Sequence, residues 1–202
     1  MKATLKGTLE TEKSRISGEN ALLQYIDCVY VVKAEAIYEF DERMYVFLDY
    51  MDGRELTNVI SACHTTYSEE FIKYSIWSAA KGLFAMHDKN ILHRDIKSDN
   101  ILCRANGDIK IADLGLSVFL TEQQAYRKTR GGTNNWLSPE IVNGTIYSKE
   151  IDVWAFGAFI HELGKGEPPF NNYHNDQSLF DAIAEKPLPN VDERCEEYND
   201  LL

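Results

Sequence analysis

Apolar and polar positions alternate in several rhythms along this chain, and each rhythm predicts a different element. Over residues 9–26 the apolar positions Ile16, Leu22, Leu23 and Ile26 recur at mixed three-to-four spacing, which predicts a helix. Gly18 inside it weakens that helix by about 1 kcal/mol relative to alanine. From Cys28 the pattern turns β-rich: CVYVVKAEAIY, a polar turn at Asp41-Glu42-Arg43, then MYVFLDY, which together predict an antiparallel hairpin. Asp52-Gly53 breaks the second strand, and a short helix over 55–62 follows. Either Thr66, in a capping box with Glu69, or Ser68 opens the next helix. Its stripe of Ile72, Ile76, Ala79, Ala80, Leu83 and Met86, running down to His87, reads as core. Further on, Ser148 is expected to cap the helix KEIDVWAFGAFIHEL, with Gly164 at its end and Pro168-Pro169 beyond. That helix is apolar on nearly every face, the mark of a central buried element. Asp152 sits inside the pattern, either as a buried aspartate that needs hydrogen bonds or as an exposed first-turn acid favoured by the helix dipole.

Between two short apolar runs, Ile91–Leu92 and Ile101–Cys103, lies a charge-dense loop: His93, Arg94, Asp95, Ile96, Lys97, Ser98, Asp99 and Asn100. Charges bracketed by buried strands are costly unless the side chains have work to do. A solvated turn is the plain alternative, but four fixed points in apolar brackets make it a poor one. The spacing H-R-D-x-x-x-x-N resembles the catalytic loop of protein kinases. Asn106-Gly107 then turns the chain into the strand IKIAD, ended by Asp113. Asp113-Leu114-Gly115 resembles the D-F-G magnesium motif, with leucine as the packing residue. The polar stretch 116–137 runs into GGTNNWLSPE, which resembles the G-T-x-x-W-x-A-P-E segment of STE-group Ser/Thr kinases, Ser138 replacing alanine.

The resemblance implies a set of roles. Asp95 would accept the proton of the substrate hydroxyl, and Lys97 would hold positive charge beside the γ-phosphoryl group. Asn100 and Asp113 would bind Mg2+. Thr133 would bond to the Asp95–Lys97 pair. A phosphate on Thr129, otherwise an ordinary loop threonine, would pair with Arg94. Asp152 would cap the backbone of the catalytic loop. The run ENALLQYIDCVYVVK is similar to the regulatory helix and following strand of the small lobe, making Glu19 the helix glutamate, if it is not simply a surface residue. Lys2 would be its lysine partner on the nucleotide phosphates, with Lys6 and Lys13 as rivals. Leu48 would guard the adenine pocket, a role compatible with plain core, while Asp49 and Met51 would offer backbone groups to adenine and Leu102 would line the nucleotide site. Asn134 and Asn135 stand where proline and an aromatic residue are usual, which leaves the substrate-facing surface undefined.

The implied fold class is α+β, a two-lobed protein-kinase fold. Residues 1–50 form a small β-rich N-lobe remnant, from the third strand to the hinge and lacking the first two strands. Residues 51–202 form a helical C-lobe truncated at its end. No G-x-G-x-x-G occurs, and the arginine expected to pair with Glu140 would lie beyond Leu202, so a fragment of a longer kinase, with very low activity by itself, is the expectation. The implied activity is transfer of the γ-phosphoryl group of Mg-ATP to Ser/Thr hydroxyls of proteins, with an upstream kinase acting at Thr129. A pseudokinase or scaffold without turnover is the alternative. A small-molecule phosphotransferase is disfavoured by the GGTNNWLSPE segment. Composition adds exclusions. The 202 residues are 44% hydrophobic, with a mean hydropathy of −0.36, enough for a core. No apolar run approaches the ~20 residues that span a bilayer, and no apolar stretch follows the initial lysines as in a secretory signal. The net charge of −11 disfavours nucleic acid as a partner. Cys28, Cys63, Cys103 and Cys195 show no C-x-x-C pair, which predicts a reducing compartment, the cytoplasm.

Overall fold

In the computed structural model, which describes residues 2–5, 10–41, 43–63 and 67–190, β1 (Lys2–Leu5), β2 (Ala34–Phe40) and β3 (Arg43–Leu48) form one antiparallel sheet with β3 in the centre. The expected hairpin is β2–β3, turned at Asp41 in the left-handed region. Helix α1 (Glu10–Tyr25) precedes β2, and Leu22, Leu23 and Ile26 are buried as their spacing predicts.

The strand expected to begin at Cys28 begins instead at Ala34. Val31 and Val32 are both buried, so the period-two alternation fails there. The segment crosses to β7 (Ile109–Ile111): Val32 N–H donates to Ile111 O at 2.8 Å, and Ile111 N–H donates to Tyr30 O at 2.8 Å. Helix α3 (Glu69–Asp88) passes beneath this crossing. It can do so because residue 82 is glycine: a Cβ there would lie 2.7 Å from the Tyr30 carbonyl oxygen.

The Oγ of Ser68 caps α3, accepting from Phe71 N–H at 3.3 Å, while Thr66 lies outside the described residues. Most of the predicted stripe is buried, with Ala80 at its half-buried margin. After the expected break at Asp52-Gly53 the chain forms a short strand that the pattern did not predict, β4 (Arg54–Glu55), because Arg54 and Glu55 pair with Cys103 and Leu102. Helix α2 (Leu56–Cys63) therefore starts at Leu56, and β6 (Ile101–Cys103) pairs with both β4 and β7. β5 (Ile91–Leu92) pairs separately with β8 (Val118–Phe119). The two strands bracketing the charged loop therefore belong to different sheets.

The remaining helices are α4 (Pro139–Val142), α5 (Glu150–Lys165) and α6 (Asp176–Glu185). Two expectations for α5 are corrected. Lys149, not Ser148, occupies the cap position: its carbonyl takes the first bond of the helix, from Asp152 N–H at 3.2 Å. The helix also runs past the buried Gly164 to close at Gly166, which takes the left-handed conformation that ends helices. One buried apolar cluster joins Leu22 and Val46 of the N-terminal layer to Leu83, Ile111 and Phe159, so both layers share a core of α+β class. Among the described residues no helix is long and apolar enough to cross a membrane.

Candidate active site

The loop from His93 to Asn100 is held from below by α5. Asp152 is fully buried; its Oδ2 accepts from His93 N–H at 2.8 Å and from His87 Nε2 at 2.9 Å, and its Oδ1 accepts from Arg94 N–H at 2.7 Å. The exposed-acid reading of Asp152 is thereby excluded. Arg94 sits at φ +69°, which bends the loop sharply. Inside the bend the buried His93 Nδ1 accepts from Asp95 N–H at 3.2 Å, so Nε2 carries the hydrogen and donates to Ala112 O at 3.0 Å.

A second anchor went unnoticed in the sequence. Glu162, one side of α5 further along, takes Ser98 N–H at 3.3 Å and the Ser98 hydroxyl, which also meets Thr57. Both Glu162 and Ser98 are buried. Burial pushes the Glu162 carboxyl up to about 7, with the nearby Asp99 charge adding to the rise and the Ser98 bonds opposing it. The signal was present: Asp152, Ala155, Phe159 and Glu162 follow one another at three-to-four spacing, the stripe that faces the loop.

Above these anchors the predicted polar residues converge. The Asp95 carboxylate accepts from Thr133 Oγ1 at 2.7 Å through Oδ1 and from Asn100 Nδ2 at 2.9 Å through Oδ2. Lys97 Nζ donates to Thr133 Oγ1 at 2.8 Å and stands 3.6 Å from Asp95 Oδ2. Asn100 Nδ2 also reaches the Asp95 carbonyl at 2.8 Å, which fixes the amide orientation and leaves Oδ1 as the outward oxygen. Asp113 closes β7 in the left-handed conformation, φ +58°, and accepts from Gly115 N–H at 3.2 Å through one carboxylate oxygen. Leu114 is buried, as its packing role requires. A Cβ on Gly115 would come within 3.8 Å of Glu19 Oε2, so the α1 glutamate reaches this turn.

The Asn100 and Asp113 oxygens suit Mg2+, which takes one or two protein oxygens and completes its shell with phosphate and water. No group of three or more His, Cys, Asp or Glu able to enclose a metal occurs among the described residues. Lys2 lies on β1 opposite Val46, its side chain outside the description, as are Lys6 and the side chain of Lys13. Leu48 ends β3 half-buried; Asp49 and Met51 follow in the linker, and the half-buried Leu102 sits mid-way along β6.

The polar stretch 116–137 is tied to the loop by Arg94. Its Nε donates to Leu116 O at 2.7 Å, and NH1 donates to Thr129 Oγ1 at 2.9 Å and Tyr147 OH at 3.1 Å. Buried Tyr147, which belongs to no motif in the sequence, donates in turn to Thr129 O at 2.6 Å. The two atypical asparagines dock this segment: Asn134 Nδ2 donates to Asp176 of α6 at 3.0 Å, and Asn135 Nδ2 to Pro169 O at 3.0 Å.

Comparison with known proteins agrees with this geometry. A family profile described as "Protein kinase domain" matches residues 1–201. The serine/threonine-protein kinase SKM1 of Saccharomyces cerevisiae is 40% identical over 159 residues, covering 75% of this chain and 24% of its own. The serine/threonine-protein kinase CLA4 of Eremothecium gossypii is 37% identical over 163 residues, 78% of this chain and 20% of its own. The serine/threonine-protein kinase cst-1 of Caenorhabditis elegans is 30% identical over 203 residues, 99% of this chain and 41% of its own. The chain thus spans a quarter or less of the first two relatives' length. With the profile running almost end to end and these Ser/Thr kinases among its relatives, the chain belongs to the protein kinase domain family, among the STE-like Ser/Thr kinases.

Proposed function

We propose that this chain carries the phosphotransfer centre of a protein Ser/Thr kinase that uses Mg-ATP. The observation that carries the reading is the Asp95 carboxylate, held by Thr133 and Asn100 with Lys97 beside it. The substrate hydroxyl gives its proton to Asp95 as its oxygen bonds to the γ-phosphorus, and the bond to the departing ADP oxygen breaks. Lys97 offers a fixed positive charge where charge gathers on the transferring group. Asn100 through Oδ1, and Asp113 through the oxygen not bonded to Gly115, would hold Mg2+, which when bound neutralises phosphate charge. Leu48, Leu102 and the backbone of Asp49 and Met51 would receive adenine, and Glu19 would orient Lys2 on the phosphates.

The Arg94–Thr129 bond supports Thr129 as the position at which an upstream kinase adds a phosphate, since a guanidinium suits phosphate oxygens. Free thiols at Cys28 and Cys103 support a reducing compartment, and on this reading the protein is cytoplasmic.

Asp95→Asn tests the assignment. It keeps the shape of the side chain and removes the base, so kcat should fall by about 10²–10⁴-fold while the affinity for Mg-ADP stays put. Unchanged turnover would sink the catalytic reading. Nucleotide binding without turnover in the wild-type protein would favour the scaffold.

A further inference from the structure

The linker after β3 is stitched along its length to the turn of the β6–β7 hairpin. Arg104, on that turn, forks onto two consecutive linker residues: its Nε donates to Tyr50 O at 2.9 Å and its NH2 donates to Asp49 Oδ1 at 3.1 Å. Lys110 of β7 donates to Asp49 Oδ2 at 2.6 Å, an oxygen that also accepts Lys33 N–H at 3.2 Å. Further along, Ala105 N–H donates to Asp52 Oδ1 at 2.8 Å and Gly53 N–H to Cys103 O at 3.0 Å. The Asp49 side chain is only 10% exposed. Burial works to raise its pKa, but the Lys110 and Lys33 bonds with the Lys110 and Arg104 charges outweigh that and hold the carboxyl below its usual range. It is ionised at neutral pH and fully partnered.

The placement gives this knot a consequence. The hairpin that grips the linker begins directly after Asn100 and ends just before Asp113. One rigid ribbon thus connects the linker backbone to both residues with magnesium-type oxygens. We infer that the Arg104–Asp49–Lys110 knot is a positioning device for the nucleotide, fixing the adenine-contacting backbone of the linker at a set span from Asn100 and Asp113. The inference rests on the kinase reading above. Arg104 does not touch the nucleotide; it acts through the Tyr50 carbonyl and the Asp49 carboxylate. Lysine in its place can keep one of the two bonds but not the fork.

The test measures binding of ADP and of GDP, each with magnesium, to the full chain and its variants, with amide hydrogen exchange followed at residues 49–51. In Arg104→Ala the Kd for ADP should rise about three- to tenfold, as if the loosened linker forfeited about one net hydrogen bond to the base. The preference for ADP over GDP should narrow by a similar factor, because base discrimination depends on the linker backbone. Exchange at Asp49 N–H, bonded to Lys33 O at 3.1 Å, should accelerate without added nucleotide. Arg104→Lys should fall between wild type and Arg104→Ala. Lys73→Ala, which removes an exposed ion pair with Glu69 on α3, should match wild type in Kd. A lowered melting temperature in Arg104→Ala, with unchanged ADP affinity and base preference, would reduce the knot to ordinary structure and overturn the inference. Linker exchange indifferent to Arg104→Ala would overturn it as well. If wild type itself bound no ADP, the kinase reading would fall first and the positioning role with it.

Discussion

Replacing Asp152 isolates what holds the catalytic loop in place. Its Oδ2 serves His93 N–H and His87, and its Oδ1 serves Arg94 N–H. In Asp152→Asn the amide oxygen does best where it keeps the first two partners, which turns Nδ2 onto Arg94 N–H, donor against donor. One buried backbone donor is then unpaired, at about 1–3 kcal/mol, and the two surviving bonds lose their charge assistance, at about 0.5–1 kcal/mol each. The sum is about 3 kcal/mol of a total stability of about 5–15 kcal/mol. Asp152→Ala, which orphans both backbone donors and leaves a void, should lose about 4–5 kcal/mol. For a chain of this size each kcal/mol lowers the melting temperature by about 2–4 °C, so Asp152→Asn should melt about 6–12 °C early. Urea unfolding gives the energies directly from the midpoint and slope. Because the Arg94 backbone leads straight into Asp95, kcat should also drop, by about 10²-fold for a misplacement near 1 Å. Glu150→Gln, in the exposed part of the same first turn, is the control. If Asp152→Asn lost no more than about 1 kcal/mol, matching Glu150→Gln, Asp152 would be acting only on the helix dipole and the anchoring account would be refuted.

Two further outcomes are expected. Glu162 binds its proton more tightly in the folded chain, up to about 7, than when unfolded near 4.5. The folded form therefore holds the extra proton between those values, and the stability due to Glu162 is complete below pH 4.5 and lost as pH rises through 7, by up to about 3 kcal/mol. Glu162→Gln should remove that downward slope from urea midpoints measured across pH 4.5–7.5, and parallel slopes in the two proteins would contradict it. At Thr129, phosphatase treatment should lower the kcat of phosphorylated wild-type protein severalfold and leave Thr129→Ala unmoved. An equal effect on both proteins would move the regulatory phosphate elsewhere.

Local chemistry made much of the site legible in the sequence. Asp95, Lys97 and Asn100 share one loop, so their spacing is their geometry, and Asp113 and Thr133 enter through short segments with recognisable ends. The helices, the β2–β3 hairpin and the central α5 could likewise be read from periodicity, because each apolar stripe meets the same core, whereas the two-layer arrangement followed only from the resemblance. What escaped were partnerships across sequence: Ser98 with Glu162, Asp49 with Arg104 and Lys110, and Arg94 with Tyr147. Each residue by itself looked like an ordinary surface charge, a loop serine or a core tyrosine. The boundaries of α5 failed for a subtler reason. Ser148 and Gly164 are the usual terminal residues, but the first helical bond is accepted one residue after Ser148, and the left-handed turn that ends the helix falls at Gly166, so the buried Gly164 stays inside it. The β-rich run from Cys28 misled because a sequence of β-formers does not say which strand it joins; here Tyr30 and Val32 pair with Ile111.

That junction bears on which substitutions the chain can absorb. The bonds joining the N-terminal layer to β7 are made by main-chain atoms of Tyr30, Val32 and Ile111, and any residue able to extend its backbone could supply them. Val31 and Val32 need only remain apolar enough to stay buried. Gly82 has no such latitude, because even a methyl group would press on the Tyr30 carbonyl. Across related sequences the seam between the layers should therefore drift freely in its side chains while keeping one position blank. The most constrained residue in the joint would be the one that contributes no side chain to it.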